Sequence, residues 1–135
     1  MTISFHLPEA FFEVGKASLT KSYQFLLAAF FPRYIKVLRQ FEHSIDVMNI
    51  EGHSSSEWNH YLPAETAYLH NMALSQRRTR AVLEYCLLLP SIASHREWLQ
   101  KILSASGLSS SRPMTKNGLE DNRSSRRVDF RVLVK

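Results

Sequence analysis

The feature that most constrains this chain is an amphipathic stripe that has a cation inside it. Residues 71–89 read NMALSQRRTRAVLEYCLLL. At about 100° per residue, Leu74, Ala81, Val82, Tyr85, Leu88 and Leu89 fall on one side of a helix. Arg78 falls within that stripe, whereas Arg77 lies on its flank and Arg80 on the far side, where a long cation is cheap to solvate. A guanidinium turned inward needs a partner, because an unpaired buried charge costs several kcal/mol. That partner is either an internal carboxylate or a ligand.

The rest of the chain supplies enough apolar material for one core. The sequence has 135 residues, 44% of them hydrophobic, which fits a single domain over 1–135. Charge is uneven: residues 1–75 hold five Lys/Arg against seven Asp/Glu, and residues 76–135 hold twelve against five. A basic second half points to an anionic partner. Cys86 is the one cysteine, so no intrachain disulfide is possible, and its place in the run YCLLL reads as a small buried hydrophobe. No stretch reaches the roughly 18 apolar residues of a membrane span. The N-terminal residues have neither the basic start nor the apolar centre of a secretion signal. An export signal or anchor, if needed, would lie elsewhere, and the chain reads as a fragment of a larger membrane-anchored protein.

Periodicity lays out the elements. Residues 3–14 carry β-favouring side chains broken by Pro8, which suits an edge strand or two short pieces. Ser18 or Thr20 can cap a helix with an inner face of Tyr23, Leu26, Leu27, Phe30, Tyr34, Leu38 and Phe41. Pro32 inside that run predicts a kink or break near Phe30 and Phe31. Residues 45–50 read as a short strand and residues 53–65 as a long loop, followed by the Arg78 helix ending near Pro90. A helical turn with Trp98, a brief strand over 101–106 and a surface excursion over 107–125 come next. Val128, Phe130, Val132 and Val134 alternate with Asp129, Arg131 and Leu133, the cleanest strand in the sequence. Strands joined through helices imply crossovers, and the closing pair can be antiparallel. The expected fold class is α+β: a β-α-β-α-β-β sandwich, one mixed sheet of about four strands with two long helices on one face.

Several chemistries are excluded by spacing. Gly52-His53-Ser54-Ser55-Ser56 lacks the G-x-S-x-G elbow, and adjacent loop residues are poorly placed for a serine–histidine proton transfer. The six histidines form no pair at metal-ligand spacing, so no metal or other cofactor is expected, and His53 reads as a strand-end histidine bonded locally. The cluster Arg123, Arg126 and Arg127 lacks the interleaved aromatics of a nucleic-acid surface, so no nucleic-acid partner is expected. By strand parity Arg126 shares the core-facing side with Val128, and Arg127 faces out. Asn71 sits seven positions before Arg78, two turns or about 10 Å away on the same face. With the backbone N–H groups of the serine-rich loop, the two would make a carboxylate pocket. The alternative is a structural salt bridge from Arg78 to Glu51 or Glu57.

Three motifs carry a family resemblance. Ile50-Glu51-Gly52-His53-Ser54, then Asn71-x-x-Leu74-Ser75-Gln76-Arg77-Arg78-Thr79-Arg80-Ala81, then Ser125-Arg126-Arg127-Val128-Asp129-Phe130 resemble the OmpA-like C-terminal domain over about residues 10–134. This is the peptidoglycan-binding module also found in Pal lipoproteins and MotB stators. The resemblance implies non-catalytic binding of the diaminopimelate residue of the wall stem peptide, and a periplasmic, envelope location. It also implies tethering through a membrane anchor absent from this chain, and a homodimer if the chain is MotB-like. The implied binding set is Arg78, Asn71, His53, Ser54, Ser55, Glu57, Leu74 and Arg126. Arg78 matches the arginine that holds the ligand carboxylate, and Ser55 falls where the family has an aspartate for the ligand ammonium. A neutral serine forfeits a charge-assisted bond of about 1.5–3 kcal/mol, although Glu57 could replace it and Ser54 could donate through its backbone. Ser125 likewise replaces the commoner asparagine. The competing expectation is an OmpA-like fold that has lost wall binding and serves protein–protein interaction.

Overall fold

The structure is a computed structural model that describes residues 2–5, 12, 16–54, 63–109, 114–120 and 126–135. Its centre is a four-stranded mixed sheet in the order β1-β6-β2-β3, formed by β1 (Thr2–Phe5), β6 (Arg127–Val134), β2 (Ile45–His53) and β3 (Leu103–Gly107). Strands β2 and β3 run parallel, and β6 is antiparallel to both β1 and β2. The last strand therefore does not pair with β3, its predecessor in the main sheet, as a closing hairpin would; it inserts between β1 and β2. Its alternation explains this, because Val128, Phe130 and Val132 are all buried and such a strand suits a central position. β1 is left at the edge, as the Pro8-interrupted segment predicts.

Two long helices, α1 (Lys21–Arg39) and α2 (Ala64–Leu87), supply the other layer, with a short α3 (Arg96–Ile102) leading into β3. Thr20 caps α1, its Oγ1 accepting from the Tyr23 N–H at 3.2 Å. The predicted break at Pro32 is absent, and α1 runs through it. Proline removes the bond to the carbonyl four residues earlier, and that residue, Ala28, is exposed, so water can satisfy it. The buried face of α1 is Tyr23, Leu27, Phe31, Tyr34, Ile35 and Leu38, rotated from the predicted stripe: Leu26 and Phe41 are 38% and 58% exposed. Phe31, outside the predicted stripe, joins the predicted Phe30 and Tyr34 against Phe130 of β6, with ring centroids 6.2, 5.5 and 6.1 Å away.

Helix α2 begins seven residues before the periodic signal at Asn71, directly after Pro63. Its first two turns bury only Ala67, which is why amphipathicity does not reveal them. At its other end Arg96 donates to the Leu87 and Leu89 carbonyls at 2.7 and 3.1 Å, closing the helix terminus. Leu88 lies outside the buried stripe at 66% exposure, and Cys86 is buried as expected. Within the predicted surface excursion, β4 (Thr115–Lys116) and β5 (Leu119–Glu120) form a hairpin across Asn117 and Gly118, both at positive φ (55° and 79°), the geometry Asn-Gly favours.

Two glycines set the distance between helix and sheet. Gly52 and Gly107 are register partners on β2 and β3. A Cβ on Gly52 would come within 2.7 Å of Thr79 Cγ2 and 2.9 Å of the Ser75 carbonyl; one on Gly107 would meet the Gln76 N at 2.5 Å. The glycine pair is thus a flat floor on which residues 75–79 of α2 rest, one helical turn from which Arg78 projects.

Candidate ligand-binding site

The ends of β2, β6 and the middle of α2 converge around Arg78. Gly52, His53, Ser75, Arg78, Arg127, Val128 and Phe12 line a cavity of about 10 Å³. That is room for about one water molecule. Arg78 is 8% exposed, so the inward cation inferred from helical phase is where the sequence places it. Its Nε donates to the Lys16 carbonyl at 2.9 Å, and its guanidinium carbon lies 4.9 Å from the centroid of the Phe12 ring. Phe12 is itself pinned by an isolated antiparallel bridge to Leu19 and an edge-to-face contact with Tyr23. Burial, foremost, and the like charges of Arg126 and Arg77 lower the Arg78 pKa to about 10, leaving it protonated at neutral pH.

The structural alternative through Glu51 does not hold. Gly52 faces α2, so its neighbours Glu51 and His53 face the opposite side of the sheet. There Glu51 Oε2 accepts from Asn49 Nδ2 at 3.1 Å and lies 3.7 Å from Arg131 Nη1. Asp129 Oδ2 accepts from Arg127 Nε at 3.3 Å and sits 3.3 Å from His53 Nε2, which is 3.9 Å from Glu51 Oε1. Glu51, His53 and Asp129 thus offer three ligand atoms within 4.8 Å of one another, a constellation that linear spacing hid because β6 contributes one of them. Both carboxylates already face guanidiniums, so the group reads as a buried charge network tying β2 to β6 rather than a vacant cation site.

The predicted residues divide accordingly. Arg78 and His53 both border the cavity, but the His53 imidazole is turned to Asp129 on the opposite face of the sheet. Arg126, half-buried at the bend before β6, acts on Arg78 through its charge. Asn71 and Leu74 are buried on α2 but do not line the cavity. Ser54 is buried, and its N–H donates to the Ser109 carbonyl at 2.8 Å, so the backbone donor expected for a ligand is consumed within the fold. Ser109 is the reason: wholly buried at φ 52°, it accepts from Ser54, donates its N–H to Ser75 Oγ at 3.1 Å and its hydroxyl to the Tyr68 carbonyl at 2.9 Å. Ser55 and Glu57 lie outside the described residues. Sequence reasoning missed Phe12, Lys16, Ser75 and Arg127. Of these Arg127 carried a signal, since it starts the β6 alternation beside Arg126.

A sequence model of the OmpA family matches residues 11–127. The chain belongs to the OmpA family. Solved OmpA-like domains share its fold. The peptidoglycan-associated lipoprotein from Burkholderia pseudomallei superposes with a TM-score of 0.58 at 21% identity, covering 96% of this chain and 89% of that one. The periplasmic domain of Helicobacter pylori MotB gives 0.63 at 15% identity, covering 99% and 76%. The cell wall anchor of the T6SS from Pseudomonas aeruginosa gives 0.61 at 24% identity, covering 99% and 81%. In sequence, this OmpA-like chain is 41% identical over 135 residues to the Zorya protein ZorB of Escherichia coli. That match covers 99% of this chain and 57% of the relative, so the chain spans just over half of that protein's length.

Proposed function

We propose that this OmpA-like domain is a non-catalytic anchor that binds peptidoglycan, with Arg78 holding the carboxylate of diaminopimelate in the stem peptide. The observation that carries the reading is the placement of Arg78: a charged guanidinium, buried, lining a cavity whose other described walls are the ends of β2 and β6. The Lys16 carbonyl accepts from its Nε and the Phe12 ring lies against its guanidinium face, which hold the group in place. A fork of N–H donors held in that way suits a carboxylate. The relatives named as a peptidoglycan-associated lipoprotein and a cell wall anchor support the same assignment. On this reading the domain works in the periplasm, tethered to a membrane by a part of its parent protein outside this chain, and a homodimer belongs to the reading if the chain is MotB-like.

Two observations favour a second reading, an interaction domain that keeps the fold without the wall ligand: Ser55 in place of the aspartate, and a cavity too small for a carboxylate without rearrangement. Co-sedimentation with purified sacculi separates the two. The anchor reading expects the wild-type domain in the pellet and Arg78→Ala in the supernatant at moderate salt. Wild type that stays soluble at both low and moderate salt rejects it. Binding that survives Arg78→Ala but disappears with salt would come from the diffuse basic charge alone.

A further inference from the structure

The outward face of α1 takes no part in the site around Arg78. Phe25, Leu26 and Val37 on the helix and Phe41 just past its end are 83%, 38%, 55% and 58% exposed. Leu26, Ala29, Phe30, Tyr34, Val37 and Leu38, at the three- and four-residue spacing of one helix side, line a groove of about 510 Å³. Arg33 is the one charged residue that lines it among the described residues. The charge on this helix has a single sign: Lys21, Arg33, Lys36 and Arg39 are its ionised side chains, and it has no aspartate or glutamate. Arg39 is held within the fold, by Glu42 at 3.1 Å and by the Trp98 ring at 4.8 Å. Lys21, Arg33 and Lys36 are exposed and make no ion pair among the described residues.

We propose that α1 docks this domain on an anionic phospholipid bilayer, with Phe25, Leu26 and Val37 entering the headgroup layer and Lys21, Arg33 and Lys36 pairing with lipid phosphates. A helix that lies in a membrane interface needs apolar side chains to enter the acyl boundary and long cations beside them that reach out to the headgroups. The exposed side of α1 offers both, while Tyr23, Leu27, Phe31 and Ile35 commit its other side to the core. The complementary charge must be spread out, because Lys21 and Lys36 stand fifteen residues or about 22 Å apart along the helix. A bilayer presents such dispersed negative charge over an apolar interior. A second copy of the chain does not, since two-fold pairing would set this face against itself, cation to cation. The face is independent of the wall-binding reading. The choice of a bilayer over an acidic protein rests on the membrane tether in that reading, which keeps a bilayer within reach.

The test is co-sedimentation of the domain with vesicles of phosphatidylcholine alone or with one-third phosphatidylglycerol. Wild type is expected to pellet with the anionic vesicles, to stay in solution with the neutral ones, and to release as salt rises. Arg33→Glu and the double variant Phe25→Gln with Val37→Gln should each weaken the partition by about tenfold or more. All three positions are exposed and glutamine is a good helix former, so circular dichroism should show the fold unchanged. Lys101→Glu makes the same charge change at an exposed position on α3 and should cost less than about threefold. The proposal is overturned if anionic vesicles leave wild type in solution, if the double variant binds as wild type does, or if Lys101→Glu costs as much as Arg33→Glu. Should vesicles fail while a leucine- and glutamate-bearing amphipathic peptide shifts the amide signals of α1, the face takes an acidic protein segment instead, and the bilayer is rejected. Sacculi are read separately: vesicle binding without sacculus binding keeps this proposal and rejects wall anchoring, and the reverse result does the opposite.

Discussion

Replacing Gly107 with alanine tests whether the glycine floor under α2 sets the position of Arg78. Alanine at an unstrained glycine ordinarily stabilises by about 0.4–1 kcal/mol, because the unfolded chain loses freedom. At Gly107 the added Cβ would lie 2.5 Å from the Gln76 backbone N and 2.6 Å from both Gln76 Cγ and Ser75 Oγ. Two of those atoms cannot swing aside cheaply: the Gln76 N belongs to the helix backbone, and Ser75 Oγ is held by the Met72 carbonyl and the Ser109 N–H at 3.0 and 3.1 Å. The helix must therefore lift by several tenths of an ångström or more, an overpacking cost of about 1–3 kcal/mol. Taking about 2 kcal/mol, and an unfolding entropy of about 2.1 cal/mol/K per residue over the chain, the melting temperature falls by about 7 °C. Urea denaturation of Gly107→Ala beside wild type reads this directly, and lifting the helix also displaces Arg78, so affinity for sacculi drops as well. Gly118→Ala is the control: at φ +79° with no atom within 4 Å of a Cβ, it pays about 1 kcal/mol of backbone strain and leaves binding unchanged. A Gly107→Ala domain as stable as wild type, or more so, would refute the close approach of α2 to the sheet.

Four further outcomes follow from other contacts. Arg78→Met keeps the length of the side chain but removes a charge whose pKa burial lowers to about 10, so by urea denaturation it should be at least as stable as wild type at pH 7 while losing ligand binding. The sign is that of a cation with a folded pKa below its unfolded value: its penalty is fully present at neutral pH and declines as pH rises through about 10, so carboxylate binding by wild type should stay flat from about pH 7 to 9. Asp129→Ala leaves Arg127 and His53 buried without their shared carboxylate and should cost about 3–5 kcal/mol, against less than about 0.5 kcal/mol for Asp46→Ala on the exposed side of β2. Thr20→Ala removes the cap on α1 and should cost about 1 kcal/mol by the same denaturation assay, with no change in binding.

The inward turn of Arg78, the cap at Thr20 and the alternation of β6 were legible because each is a local pattern: helical phase, a single side-chain acceptor, and period two. The unbroken α1 was not, since whether Pro32 breaks a helix depends on where the orphaned carbonyl points, and Ala28 is exposed only because the core engages Leu27 and Phe31 instead. The start of α2 was hidden for a related reason, as a helix that buries one residue in two turns leaves no periodic trace. Phe12 and Lys16 were beyond reach altogether: they meet Arg78 across 66 and 62 positions, the second through a backbone carbonyl that any residue would supply. Gly52 and Gly107 were visible only as strand ends, and their importance appears when β2 and β3 are placed side by side.

The placement of Arg78 is also an argument about what the fold tolerates. A guanidinium buried among other cations works against stability, since desolvation and the charges of Arg126 and Arg77 all lower its proton affinity. The Lys16 carbonyl and the Phe12 ring partly offset this. On the opposite face of the same sheet the chain solves the same problem differently, pairing Arg127 with Asp129 and Arg131 with Glu51. On the wall-binding reading, the guanidinium that lines the cavity is the group an external carboxylate would meet. An acid introduced on the cavity wall should therefore compete with an external carboxylate for Arg78. Ser75→Asp places a carboxylate on the cavity wall three residues before Arg78 and near enough for an i,i+3 pair. It should weaken carboxylate ligands by about tenfold or more. Undiminished ligand affinity in a folded Ser75→Asp domain would mean that ligand and Arg78 do not meet in this cavity.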